Sequence, residues 1–150
     1  MSMRKGKYWT ISDSPTRRSM RANRSKGTLL EMRVRSLLWT SGIRGYRLHR
    51  NDLAGTPDIA WIGKRVAVFV HGCFWHRCPA CEIRGRVGVP KTRSEFWARK
   101  FDENQTRHEK AVKSLEVLGW LVITIWECEV RRNPERVVSG IREALDSRLD

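Results

Sequence analysis

Between residues 71 and 81 the chain reads HGCFWHRCPAC, placing two imidazoles, three thiols and a Phe-Trp pair in one short stretch. Cys73, Cys78 and Cys81 form C-x4-C-x2-C, and Cys128 stands apart in WECEV. Thiolates on tight loop spacings joined by a distant fourth suit tetrahedral Zn²⁺. Pro79 helps turn the chain so that the flanking sulfurs face one point. The plainer alternative is a buried apolar Cys128 and an incidental loop trio. Four sulfurs fill a zinc and leave no position open for substrate, so this metal would be structural. His76 is a possible zinc ligand too, but four cysteines make it unnecessary.

A second constellation concerns hard cations and protons. Pro57-Asp58 opens one apolar segment, and Phe69-Val70-His71 closes the next. If the two segments pair as a hairpin, those ends converge at one edge of a sheet. Glu31 lies one element earlier, among basic and apolar neighbours. Asp58, Glu31 and a backbone carbonyl could hold Mg²⁺ beside a phosphate. His71 and His76 are then candidates for proton transfer or phosphate stabilisation. Each also has a quieter reading: Asp58 as a turn residue, Glu31 paired with Arg35 at i+4, His71 as packed core.

The elements that must position these groups follow from periodicity. Leu30, Val34, Leu37 and Leu38 mark one face of a helix placing Glu31 mid-helix, with Gly42 and Gly45 ending it. Strands are expected at 46–50, 57–62 and 65–72, with Gly63-Lys64 as a tight hairpin link. Residues 72–93 show no regular pattern, and a loop of that length needs a crosslink or a function. Ser94 is placed to cap a long helix striped by Trp97, Phe101, His108, Val112, Leu115 and Leu118 and ended by Gly119. WLVITIW (120–126) reads as a buried strand by its unbroken apolar character. Asn133-Pro134 opens a final helix. The order α-β-β-β-α-β-α specifies an α/β fold: one mixed sheet flanked by helices.

At 150 residues the chain has the size of one domain. Residues 1–15 are expected to be a flexible basic tail and 16–150 a single domain. Lys and Arg number 30 against 16 acids, for a net charge of +14. Such an excess points to a polyanion, most often nucleic acid. The first 27 residues carry eight of the basic residues and one acid. Arg17, Arg18, Arg21, Arg24 and Lys26 are candidates for phosphate contacts. No basic amphipathic helix, signal-peptide h-region or membrane-length apolar run is visible, so the reading is cytosolic with no membrane partner. Thiols stay reduced there, which favours metal over disulfides.

Five segments resemble the very-short-patch repair (Vsr) DNA mismatch endonucleases, relatives of the restriction-endonuclease fold. They are TRRSMRANRSKGTLLE (16–31), GTPDIAW (55–61), VFVHGCFWHRC (68–78), KTRSEFWARKFDENQTRHEK (91–110) and LGWLVITIWECEV (118–130). HGCFWH and WEC are the specific pieces. The resemblance implies a Mg²⁺-dependent enzyme that nicks one strand 5′ to the thymine of a T·G mismatch, the lesion left by 5-methylcytosine deamination. Carried over, Asp58 would be the central Mg²⁺ ligand, with the carbonyl of Val70 beside it. His76 would activate the attacking water. His71 would stabilise the scissile phosphate or protonate the leaving oxygen, and Glu31 would support the water beside the metal. Phe74 and Trp75 would intercalate at the mismatch, Met20 would wedge from the opposite groove, and Trp97 would complete the aromatic group. A mismatched step is cheaper to unstack than a paired one, so an aromatic wedge selects for it.

The family pattern often has an acid where this chain has His108, after Arg107. His76 would then need another carboxylate, with Asp102 and Glu109 as candidates. Val70 replaces a frequent Thr, at a position where only the carbonyl is needed. The competing functions are a restriction-type endonuclease reading an intact site and a non-catalytic zinc module that binds DNA. Arg84, Arg86, Lys91 and Arg93 are the first suspects for base readout. By family analogy the protein would act as a monomer in the bacterial cytoplasm, at the nucleoid, alongside mismatch-repair proteins and a repair polymerase.

Overall fold

The computed structural model describes residues 28–148. Helix α1 (Leu29–Thr40) starts at Thr28, whose Oγ1 accepts the Glu31 N–H at 3.2 Å. This cap satisfies one of the free donors of the first turn. It also corrects the expected position of Glu31, which lies in the first turn of α1 and not mid-helix. Gly42, at φ +78°, follows the helix end as anticipated.

Strands β1 (Arg47–Leu48), β2 (Ile59–Trp61) and β3 (Val66–His71) form an antiparallel run, and β4 (Leu121–Trp126) adds parallel to β3. The order β1-β2-β3-β4 makes a mixed sheet, the α/β architecture expected. All three early strands are shorter than their apolar segments. The β2–β3 link is also longer than a two-residue turn: Trp61 pairs with Val66, and Arg65 takes φ +53°.

Alternation along β3 explains the layering. Val66, Val68 and Val70 join Val34 and Leu38 of α1 and Val138, Ile141 and Leu145 of the last helix. Ala67 and Phe69 face the other way, onto Ala111, Leu115 and Trp120. Buried on both faces, β3 needs the continuous apolar run VAVFV. Leu38 and Ile141 are fully enclosed, each contributing about 1.5–3 kcal/mol through burial.

The crossover from β3 to β4 carries the chemistry. Two short helices occupy the segment expected to be irregular, α2 (Cys73–His76) and α3 (Pro79–Ile83), before the long α4 (Ser94–Val117). Ser94 begins α4 but does not cap it; Arg93 holds that place at φ +57° without a side-chain cap. On the expected stripe, Phe101 and Leu115 are buried, whereas Leu118 is exposed. Strand β4 lies at the sheet edge, and only its Ile125 is fully buried, so the expectation of a buried strand fails there. Helix α5 (Glu127–Arg132) follows β4 directly, putting Cys128 in a first helical turn and not at a strand end. The last helix, α6 (Pro134–Asp146), is capped by the Asn133 side chain, which accepts the Arg136 N–H. Among the described residues no helix is long and apolar enough to cross a membrane.

Candidate active site

The four cysteines converge. Their Sγ atoms all lie within 4.8 Å of one another, and Cys78 Sγ and Cys128 Sγ are 3.8 Å apart. A tetrahedral zinc with Zn–S bonds of about 2.3 Å separates its sulfurs by roughly that distance. Burial pushes the Cys73 thiol up, and burial together with neighbouring sulfur raises Cys128. Cys78 is lowered despite its burial, because backbone N–H groups of Cys81 and Ala80 point at it from the start of α3. A thiolate so held, among crowded thiols, fits a cation that takes all four sulfurs. The brace has a second component not anticipated from sequence. Buried Arg77 donates to Glu82 Oε1 at 2.9 Å and to the carbonyls of Gly88 and Val87, and it stacks over Phe101. The guanidinium ties α3 and the chain beyond it to α4 where the sulfurs do not reach.

On the other side of α2 a cleft of about 830 Å³ opens at one edge of the sheet. Asp58 precedes β2 by one residue and sits across from the end of β3, as the hairpin argument required. Its Oδ2 accepts the Val70 N–H at 2.7 Å, so the Val70 main chain lies against the carboxylate. Burial raises the Asp58 carboxyl to about 7, with Glu31 adding to the rise and the Val70 N–H opposing it. Glu31 is buried and meets His49 Nε2 at 2.8 Å, in place of the Arg35 pairing considered from helical spacing. Oxygen atoms of Glu31 and Asp58 and a ring nitrogen of His49 all lie within 4.8 Å of one another. A buried and a half-buried carboxylate crowded this closely favour a cation between them.

Histidines make the opposite wall. His71 ends β3 and stacks on His76 of α2, with centroids 3.7 Å apart and planes within 7°. His108, from α4, meets His71 edge-on at 4.3 Å and hydrogen-bonds Thr124 Oγ1 at 3.2 Å. Burial first, then His76 and His108, pushes His71 down to about 2, and burial with His108 pushes His76 to about 4. His108 is lowered as well, chiefly by burial. All four histidines of the chain therefore line one cleft, and these three are neutral bases at ordinary pH. Neither Asp102 nor Glu109 reaches His76 as a carboxylate partner. Nδ1 of His76, like that of His71, is buried with no hydrogen-bond partner among the described residues.

Phe74 and Trp75 lie on the rim of the cleft, packed edge-on at 5.2 Å. Trp97 joins both, at 5.7 and 5.4 Å, over buried Phe101. The three aromatics that the resemblance grouped are thus one half-buried cluster. Asn104 Nδ2 donates to the Trp75 carbonyl at 3.2 Å, clamping that end of α2 to α4. Arg84, Arg86, Lys91 and Arg93 are all exposed. Met20, Arg17, Arg18, Arg21, Arg24 and Lys26 lie outside the described residues.

His49 went unremarked in the sequence. It follows β1 with φ +47°, so strand alternation could not aim its side chain, and its partner Glu31 is 18 residues away. Its one visible signal was its place in a short segment ahead of Pro57-Asp58. Arg107, which also lines the cleft, was noted only for its neighbour.

Comparisons with known proteins bear on this geometry. Residues 11–82 match the family described as DNA mismatch endonuclease Vsr. The chain is 45% identical over 120 residues to "Type II nicking enzyme V.XorIIP" of Xanthomonas oryzae pv. oryzae, covering 78% of this chain and 84% of that one. It is 34% identical over 137 residues to "DNA mismatch endonuclease Vsr" of Escherichia coli K12, covering 91% and 85%. With "Type II nicking enzyme V.NaeI" of Lentzea aerocolonigenes it shares 37% over 149 residues, covering 97% and 87%. The chain belongs to the Vsr family of DNA mismatch endonucleases and is an endonuclease that nicks DNA.

Proposed function

We propose that the protein nicks one strand of double-stranded DNA 5′ to the thymine of a T·G mismatch, by Mg²⁺-dependent hydrolysis of the phosphodiester. One observation supports this most directly. Asp58 and Glu31 face His71 and His76 across a single cleft, with Phe74 and Trp75 on its rim. Chemistry on a phosphodiester and separation of stacked bases are thereby available within one cleft.

Asp58 would hold Mg²⁺ together with the Val70 carbonyl, and Glu31 would orient water beside it. The cation, when bound, neutralises charge on the attacked phosphate. His76 accepts the proton of the attacking water, a role that needs the neutral imidazole its burial favours. His71, stacked beneath it, faces the phosphate as hydrogen-bond donor to the scissile group or proton donor to the leaving oxygen. Phe74 and Trp75, backed by Trp97, enter the stack at the mismatched step, and Met20 enters from the opposite groove. Arg17, Arg18, Arg21, Arg24 and Lys26 supply phosphate contacts.

Zn²⁺ on the four cysteines would fix the loop that bears both functions. Residues 1–15 would act as a flexible basic tail and 16–150 as one catalytic domain. By the family resemblance alone, the protein acts as a monomer at the bacterial nucleoid and passes the nicked strand to mismatch-repair proteins and a repair polymerase.

End-labelled duplexes, T·G mismatched and fully paired, test the reading with Mg²⁺ or EDTA present. A Mg²⁺-dependent nick 5′ of the mismatched thymine, lost in His76→Ala while zinc is retained, is the expected result. Equal cutting of paired duplex would replace it with a restriction-type activity. Binding without cutting would leave a DNA-binding relative.

A further inference from the structure

We propose that His49 is itself a ligand of the catalytic cation, and that its nitrogen makes the site prefer borderline divalent ions such as Mn²⁺ and Co²⁺ over Mg²⁺. The inference rests on the reading above that Asp58 holds that cation. It adds a third protein side chain and a metal preference.

The geometry is specific to this residue. A ring nitrogen of His49 and carboxylate oxygens of Glu31 and Asp58 lie within 4.8 Å of one another. Ligands of a divalent ion with bonds of about 2.0–2.2 Å stand roughly 3–4 Å apart, so small side-chain rotations close the three donors on one ion. The main chain holds His49 in place. Its N–H donates to the Asp58 carbonyl at 3.2 Å, latching it to the residue whose carboxylate would bind metal. Its φ of +47° lies in the left-handed region, which a non-glycine residue adopts only where its surroundings hold it. Relaxing that strain would swing the imidazole out of the cleft. The side chain is 19% exposed and opens into the same cleft as the two acids.

Donor chemistry sets the preference. Mg²⁺ is hard, keeps its waters and favours an all-oxygen shell, whereas imidazole suits transition ions. One nitrogen among oxygens therefore shifts affinity toward Mn²⁺ and further toward Co²⁺. Mn²⁺ is the useful probe because it competes poorly with zinc for four thiolates. A merely positioning His49 would hold Glu31 by the 2.8 Å hydrogen bond and contribute no nitrogen to the ion.

The experiment uses full-length, zinc-replete protein. Mn²⁺ affinity is read from the free-ion EPR signal, Mg²⁺ affinity by competition, and the ligand atoms by the nitrogen modulation of the electron spin echo of bound Mn²⁺. Wild type should prefer Mn²⁺ by about tenfold and show a coordinated-imidazole nitrogen. His49→Gln, which can still donate to Glu31, should lose the nitrogen signal and bring the two ions within about threefold. A wild-type Mn²⁺ complex without nitrogen coupling, or a coupling that persists in His49→Gln, overturns the proposal. Asp58→Asn should abolish Mn²⁺ binding. Undiminished binding in that variant would instead refute the cation site itself.

Discussion

His71 and His76 lie face to face, ring centroids 3.7 Å apart, although one ends a strand and the other ends a four-residue helix. Stacking of two protonated rings at that distance would be repulsive, and burial first, with the nearby His108 adding to it, favours the neutral form of both. The two substitutions should therefore behave differently. On the mechanism proposed above, His76→Ala removes the base and should lower the single-turnover nicking rate by about 10²–10⁴-fold. His71→Ala takes away the phosphate contact proposed for it and a buried ring, so it should also lower Tm. Rate and melting measured on both proteins check this; equal and small rate losses would remove the base role from His76.

The sulfur cluster should carry stability as well as shape. Cys128 comes from α5, whereas its three partners come from α2, α3 and the turn between them. A zinc joining them closes a long loop and fastens β4 to the catalytic segment. Cys128→Ser should reduce bound zinc well below one equivalent by elemental analysis. Loss of several kcal/mol should follow, or about 10 °C in Tm. Unchanged zinc content would mean that three sulfurs suffice, with another residue completing the shell.

What the sequence made legible, and what it did not, divides along physical lines. Thiols, imidazoles and an acid at fixed spacing announce a metal or phosphate site because those residue types are costly to bury without a partner. The apolar run of β3 was readable for a different reason: a strand covered on both faces needs one. His49 was not, since its aim depends on one positive φ and on a pairing between distant segments. Nor were α2 and α3: four and five residues are too few for any period to show. In β4 an unbroken apolar run concealed an edge position, because only the sheet order decides how much of a strand is covered. Arg77 looked like one more basic residue, yet the loop folds around it.

Gly55, three residues before Asp58, packs closely against Ala111 of α4 and the Phe69 ring. At φ +73°, a Cβ there would stand 2.5 Å from the Ala111 Cβ and 3.2 Å from the Phe69 ring. Both the conformation and the approach demand glycine. Gly55→Ala should destabilise by about 2–3 kcal/mol and push α4 away from the Asp58 loop. Thermal melting measures the first effect. Nicking should fall too, because His108 and Asn104 ride on the displaced helix. A variant with wild-type Tm would show that the loop moves freely over α4.

Asp58 predicts a pH dependence whose sign is set by its burial. Its carboxyl is raised to about 7 from an ordinary value near 4, first by burial and then by Glu31. The folded protein thus holds this proton more tightly than the unfolded chain does. The group's contribution is fully present below about pH 4 and is lost as pH rises through 7. In buffer without added divalent ions, Asp58→Asn has no such proton to release. Its stability relative to wild type should therefore climb between pH 5 and pH 8, by on the order of 2 kcal/mol. Titrating groups that do not interact with Asp58, buried His71 among them, are common to both proteins and cancel in the comparison. Millimolar Mg²⁺ or Mn²⁺ should then reverse the ranking at pH 8, because a cation stabilises only the protein that can present the carboxylate. Denaturant melts of the pair at both pH values, with and without metal, measure this. A difference that stayed flat with pH would place the Asp58 proton in water and undo the argument that crowded acids prepare the site for a cation.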